Sequence, residues 1–164
     1  MTKKTNQRLG SLALLVLPLL GTSCGGASTP AELTNQGAEA LGSGDYPDAL
    51  TKYRQALAGL DRDDPDYLRA KMGEVETLIH VNAEEATSTF LGLGSLVNEN
   101  DFASVASKMT SAGEYHEAIK VLDAGVQAYG ESPKLVEMLK VVRAEAEDAG
   151  DEDALKALEG LGYL

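Results

Sequence analysis

One six-residue string occurs twice in this chain. Gly44-Asp45-Tyr46-Pro47-Asp48-Ala49 recurs as Gly113-Glu114-Tyr115-His116-Glu117-Ala118, in the order glycine, acid, tyrosine, variable residue, acid, alanine. The two copies lie 69 residues apart, twice a period of about 34. Repetition at that length points to stacked units, none of which buries its apolar face alone. From Pro30 onward Ala, Leu, Glu and Lys are abundant and alternating Val/Ile/Thr/Tyr runs are missing, which favours helix over strand. Gly and Pro fall where short turns between helices would need them. The spacing predicts an all-α chain with helices over 31–42, 46–60, 66–80, 83–97, 100–112, 115–128, 133–149 and 151–160. Leu91-Gly92-Leu93-Gly94-Ser95 reads as a loosely packed part of the fourth helix. The tail 161–164 is expected to fold back on the last helix.

Four helix pairs can be laid over this period. The first offers Leu33, Gln36, Gly37 and Ala40, then Ala49-x3-Tyr53 with Pro65 after it. The third offers Phe102, Val105, Ala106 and Met109, then Ala118-x3-Leu122 and Pro133. The second offers Met72 and Gly73, then Ala86-x3-Phe90, with a one-residue slip and His80 near the turn where Gly is usual. The fourth offers Val136 and Leu139, then Ala154-x3-Leu158, with a turn at Gly150 and the charged run Glu145-Ala146-Glu147-Asp148. These residues resemble the tetratricopeptide repeat family, whose pattern places a small residue and an A-x3-F spacing at matching points. The resemblance covers about residues 30–164 and implies an α-solenoid of about four helix pairs. Small residues such as Gly37, Gly73, Ala49, Ala86, Ala106 and Ala118 would let backbones approach. Leu33, Tyr53, Phe90, Phe102 and Leu122 would fill the space between pairs.

The N-terminus is a different kind of segment. Residues 1–23 carry Lys3, Lys4 and Arg8 and no acid, whereas the chain as a whole has a formal charge of −12. A positive start, an apolar run from Leu9 to Leu20 and the small residues Gly21-Thr22-Ser23 have the layout of an export signal. The run is too short to span a bilayer, which takes about 20 apolar residues. Leu20-Gly21-Thr22-Ser23-Cys24 resembles the lipobox of bacterial lipoproteins, although Leu stands one step earlier than is usual there. That resemblance implies removal of 1–23, lipid attachment at Cys24 and anchoring to the outer membrane or the outer leaflet of the plasma membrane. Residues 24–29 then read as a flexible tether, and 30–164 as the repeat domain. A lone thiol in an oxidising compartment is a liability that acylation removes.

Composition excludes several function classes. The acid excess disfavours an electrostatic grip on nucleic acid. One Cys and two His leave no multi-cysteine zinc site and no histidine metal motif. Asp61-Arg62-Asp63-Asp64-Pro65-Asp66 is the densest acid run, but it lacks the Gly and distal Glu of an EF-hand. Its Pro and acids suit a helix start. No phosphate loop and no paired nucleophile and base occur, so no catalytic residue, metal or cofactor is assigned.

The tetratricopeptide resemblance implies a peptide- or protein-binding groove lined by the first helix of each pair. The groove residues would be Thr34, Ala38, Leu41, Tyr67, Ala70, Lys71, Glu74, Ala103 and Ser107. Leu41, Tyr67 and Lys71 lie near its edges and the other six are small, neutral or acidic, so the Lys/Asn/Arg clamp one branch of the family uses for a C-terminal carboxylate is not supported. A basic or apolar partner fits better than an acidic one. The expected function is a lipid-anchored, non-enzymatic envelope scaffold or adaptor. The alternative is a self-assembling structural component without a specific groove ligand.

Overall fold

The computed structural model describes residues 28–130 and 132–163. The expected signal segment 1–23 and Cys24 lie outside the described residues. Eight α-helices follow in order: α1 (Pro30–Gly42), α2 (Tyr46–Leu57), α3 (Pro65–Ile79), α4 (Ala83–Leu91), α5 (Glu99–Ser111), α6 (Tyr115–Tyr129), α7 (Pro133–Ala149) and α8 (Glu152–Gly160). Among the described residues there is no strand, and the chain is all-α.

Helix starts are written into the sequence. Thr29 caps α1 in a reciprocal pair with Glu32: Thr29 N–H donates to Glu32 Oε2 at 2.8 Å, and Glu32 N–H to Thr29 Oγ1 at 3.3 Å. The Asp45, Asp64, Asn82, Asn98, Ser132 and Asp151 side chains accept from the first turns of α2, α3, α4, α5, α7 and α8. Such caps satisfy N–H groups that have no partner inside the helix. Prolines occupy the first turns of α1, α2, α3 and α7, where the missing N–H costs nothing. The acid run at 61–66 resolves in the same way. Asp64 caps α3, and Arg62 Nη2 donates to Leu93 O at 2.8 Å.

Two helix ends fall short of expectation: α2 stops at Leu57 instead of 60, and α4 falls short by more. The helix predicted over 83–97 stops at Leu91, and a single 3-10 turn follows at Gly94–Leu96. Gly94 has φ +57°, a conformation that costs an L side chain about 1–2 kcal/mol but is open to Gly. The break does not loosen the packing, because Leu93 and Val97 on either side of it are buried.

The core is built from close approaches at small residues. Gly37 on α1 and Gly73 on α3 both meet the ring of Tyr53 on α2. Gly125 on α6 meets the Phe102 ring of α5. Phe90 stands edge-on to Phe102 with ring centres 4.9 Å apart, and Tyr129 packs edge-on at 5.7 Å while its hydroxyl donates to Val97 O at 2.7 Å. Of the expected packing residues, Gly37, Ala49, Tyr53, Gly73, Ala86, Phe90, Phe102, Ala106, Ala118 and Leu122 are buried and Leu33 is half-buried. The tail turns back on α8 through Gly162, with Tyr163 N–H donating to Leu158 O at 3.0 Å. The Tyr163 hydroxyl reaches Asp123 on α6.

Helices adjacent in sequence pack together within each pair. Beyond that, α1 packs on α3, α3 on α5 and α5 on α7, while α4 packs on α6 and α6 on α8. The odd-numbered helices thus form one layer and the later even-numbered helices a second.

Candidate functional site

The exposed side of the odd-numbered layer is the candidate site. Its register follows from how each pair closes. Asp45 N–H donates to Ala40 O, Glu114 N–H to Met109 O and Asp151 N–H to Ala146 O, each at 2.9 Å and each across five residues. These three turns carry Gly44, Gly113 and Gly150 with φ +80°, +81° and +70°. In the second pair Asn82 N–H donates to Leu78 O at 2.7 Å, across four residues and without a left-handed Gly.

Counted back from these acceptors, Ala38 and Ser107 correspond to Glu76, and Thr34 and Ala103 to Met72. The sequence expectation placed Glu74 and Ala70 there instead. The structure corrects it by two residues: Ala70 and Glu74 are buried, and Met72 and Glu76 are half-buried at the surface. Thr34 is also buried, its hydroxyl donating to Pro30 O at 2.9 Å, so it offers nothing to a ligand. Tyr67 packs against the core. Lys71 is half-buried and held by Glu74. Ala38 and Ser107 are exposed, while Leu41 and Ala103 are half-buried.

Buried Glu74 is a structural joint. Arg54 Nε on α2 meets Glu74 Oε1 at 3.0 Å, Lys71 Nζ meets Oε2 at 2.6 Å, and Arg54 Nη2 continues to Glu85 on α4 at 2.5 Å. Hydrogen bonding to Glu74 holds the Arg54 guanidinium above its ordinary range. A buried carboxylate needs such partners, because desolvation penalises its charge. The arrangement ties α2, α3 and α4 together and leaves Glu74 unable to serve a groove.

Three adjoining shallow cavities run across α3, α5 and α7. The first is lined by Met72, Val75, Glu76, Ile79, Ser104, Val105 and Lys108. The second lies between Glu76, His80, Ser107, Lys108 and Ser111, with the Ala112 cap of α5 closing its end. The third lies between Ser107, Thr110, Ser111, Met138, Val141 and Glu145. Of this strip the sequence points to Ser107 alone as groove.

Cations on this face reach back to the preceding odd helix. Arg69 on α3 donates to Asn35 on α1 at 2.8 Å, Lys108 on α5 pairs with Glu76 on α3, and Lys134 on α7 donates to Asn100 on α5. Ser132 reinforces the last junction by donating to Glu99 at 2.7 Å. On α7, Lys140 pairs with Glu137 and Arg143 with Glu147.

His80 and His116 do not meet. His80 caps the C-terminus of α3 and stacks on Tyr46 at 4.5 Å between ring centres. Among the described residues no group of three His, Cys, Asp or Glu side chains could hold a metal ion. No helix among them is long and apolar enough to cross a membrane. No family model matches the chain, and no curated protein or solved structure matches it.

Proposed function

We propose that the chain is a lipid-anchored scaffold of the bacterial envelope that binds a partner protein or peptide on its odd-numbered helices and carries out no chemistry of its own. On this reading the helix pairs form a tetratricopeptide-like solenoid, and Cys24 carries the lipid. The observation that carries the proposal is the open strip across α3, α5 and α7. It is continuous, shallow and built largely from serines, methionines and valine, a surface suited to a chain laid across it. The repeat-spaced links Arg69–Asn35 and Lys134–Asn100, each across 34 residues, further support a periodic stack. Two ionic links hold helices together: Glu74 with Arg54 and Glu85 joins α2, α3 and α4, and Lys108–Glu76 joins α3 to α5.

Two experiments test the parts separately. Cross-linking in intact cells from a photoreactive residue at Ser107 should capture one protein reproducibly, and recovery of no specific protein counts against the adaptor. Cys24→Ser should lower the intact mass by the lipid and release the body from the membrane fraction. An unchanged mass and fractionation would remove the anchor from the proposal. Sedimentation then addresses the alternative, since a concentration-dependent oligomer favours self-assembly and a monomer favours the adaptor.

A further inference from the structure

The three cavities of the strip are not equivalent. In the first two, the carboxylate of Glu76 is already met by Lys108. The third, between the end of α5 and the middle of α7, has a volume of about 160 Å3. Its carboxylate is Glu145, exposed on α7. The neighbouring α7 cations are committed elsewhere, Lys140 to Glu137 and Arg143 to Glu147. Among the described residues the Glu145 side chain makes no hydrogen bond or ion pair.

The rest of the cavity complements that charge. Met138 and Val141 form an apolar wall, and Val141 is 41% exposed although it sits mid-helix. Ser107 and Ser111 form a small polar floor, with the Ser111 hydroxyl donating to Ser107 O at 3.0 Å. Ser111 is the last residue of α5, and the C-terminal end of a helix favours positive charge. An apolar wall, a free carboxylate beyond it and a helix C-terminus beside it are what a long basic side chain requires. Its methylenes lie along the wall while its charged head stays at the wet rim.

We infer that this cavity is the seat of a lysine or arginine side chain presented by the partner, with Glu145 as its counter-charge. The inference rests on the proposed adaptor reading and names the chemistry the partner must bring. A basic residue enters here, and apolar neighbours on the same segment cover Met138 and Met72 farther along the strip. An acidic segment is disfavoured, because Glu145 would meet like charge.

The test is selection of random linear peptides displayed on phage against the full chain, followed by binding measurements on the enriched sequences. Enriched peptides should carry Lys or Arg beside Leu, Met or Phe. Their affinity should fall roughly tenfold with Glu145→Gln and further with Glu145→Lys, a loss expected for a partly desolvated charge pair. It should be unchanged by Glu159→Gln on α8. Methyl signals of Val141 and Met138 should shift on adding N-acetyl-arginine amide and stay still with the neutral N-acetyl-glutamine amide. Enriched peptides that lack a basic residue, or that ignore both Glu145 substitutions, overturn this inference while leaving the adaptor reading intact. Failure to enrich any peptide, together with no shift from the arginine probe, overturns both.

Discussion

The turn between α1 and α2 and the turn between α3 and α4 both reverse the chain, but with different residues and different counts. The first uses Gly44 at φ +80° and closes across five residues, and the α5–α6 turn repeats it at Gly113. The second uses His80-Val81-Asn82 and closes across four. Its His80 has an ordinary φ of −89° and rests on the Tyr46 ring instead. Together with the longer connection before α3, the shorter closure moves the register of α3 by two residues. Two residues are about 200° around a helix axis, the difference between inside and outside. That is how Glu74 came to be buried and why Arg54 and Lys71 converge on it.

The sharpest way to break this comparison is at the two glycines that share the Tyr53 ring. A Cβ on Gly73 would stand 2.3 Å from that ring, whereas one on Gly37 would stand 3.0 Å away. Tyr53 is buried and hemmed by both helices. Gly73→Ala should therefore cost about 2–3 kcal/mol from overpacking, even after the gain of up to about 1 kcal/mol in helix propensity. Gly37→Ala should stay within about 1 kcal/mol of the parent, because propensity offsets a milder contact. Urea unfolding measures both. If Gly37→Ala proves the more damaging, the Tyr53 ring lies nearer α1 than α3.

A smaller effect separates the turns themselves. Gly44→Ala and Gly113→Ala each place a Cβ in the left-handed region and should cost about 1–2 kcal/mol. Neither gains from its surroundings, as no atom lies within reach of the added carbon. His80→Ala needs no strained backbone and should lose only the ring stacking, about 0.5–1 kcal/mol. Equal losses at all three positions would mean that the two turn types are energetically alike and that the left-handed Gly gives the α1–α2 and α5–α6 turns no special dependence.

These turns also mark what could be read from the sequence and what could not. The string Gly-acid-Tyr-x-acid-Ala dictates a left-handed Gly in both copies, a local event, while only its first copy caps the helix start, Asp45 accepting from Asp48 N–H where Glu114 makes no such bond. The α1–α2 and α5–α6 closures therefore came out alike, and helix starts were legible to within a residue or two. The α3 register was not legible. It depends on how the connection at 58–64 is taken up between helices, and spacing alone does not reveal that. Gly73 was a sound packing residue aligned to the wrong partner position: it meets the Tyr53 ring, but Val75 holds the place that corresponds to Gly37. The end of α4 was missed because two glycines in an apolar stretch read equally well as weak helix and as a break. From the sequence Glu145 reads only as part of a charged run, since its isolation from Lys140 and Arg143 depends on side-chain pairing.

The smallest predicted effect concerns the junctions between pairs. Arg54 stands one residue after Tyr53, and Glu85 one residue before Ala86, and these two meet. At the next junction the corresponding residues are Leu91, after Phe90, and Glu117, before Ala118, so the cation is missing. Glu117 Oε1 is met by Lys120 at 2.7 Å, but its buried Oε2 has no hydrogen-bond partner among the described residues. Burial pushes the Glu117 pKa up. Lys120, the facing Thr87 hydroxyl and the His116 charge pull it down, and the net direction is below the ordinary 4.5. The Thr87 hydroxyl itself is directed to Ala83 O at 3.1 Å, so its help is partial. A lowered carboxylate pKa contributes stability that is complete above the unfolded value and is lost as pH falls through the folded one. Glu117→Gln should therefore fall below the parent near neutral pH by on the order of 0.5 kcal/mol, a figure kept small because Lys120 is exposed. The difference should vanish in acid. Leu91→Arg should add a similar amount near neutral pH by supplying the missing cation, and its gain should disappear in the Glu117→Gln background. A gain that survives that background would show that the arginine acts elsewhere, and the two junctions would not be comparable.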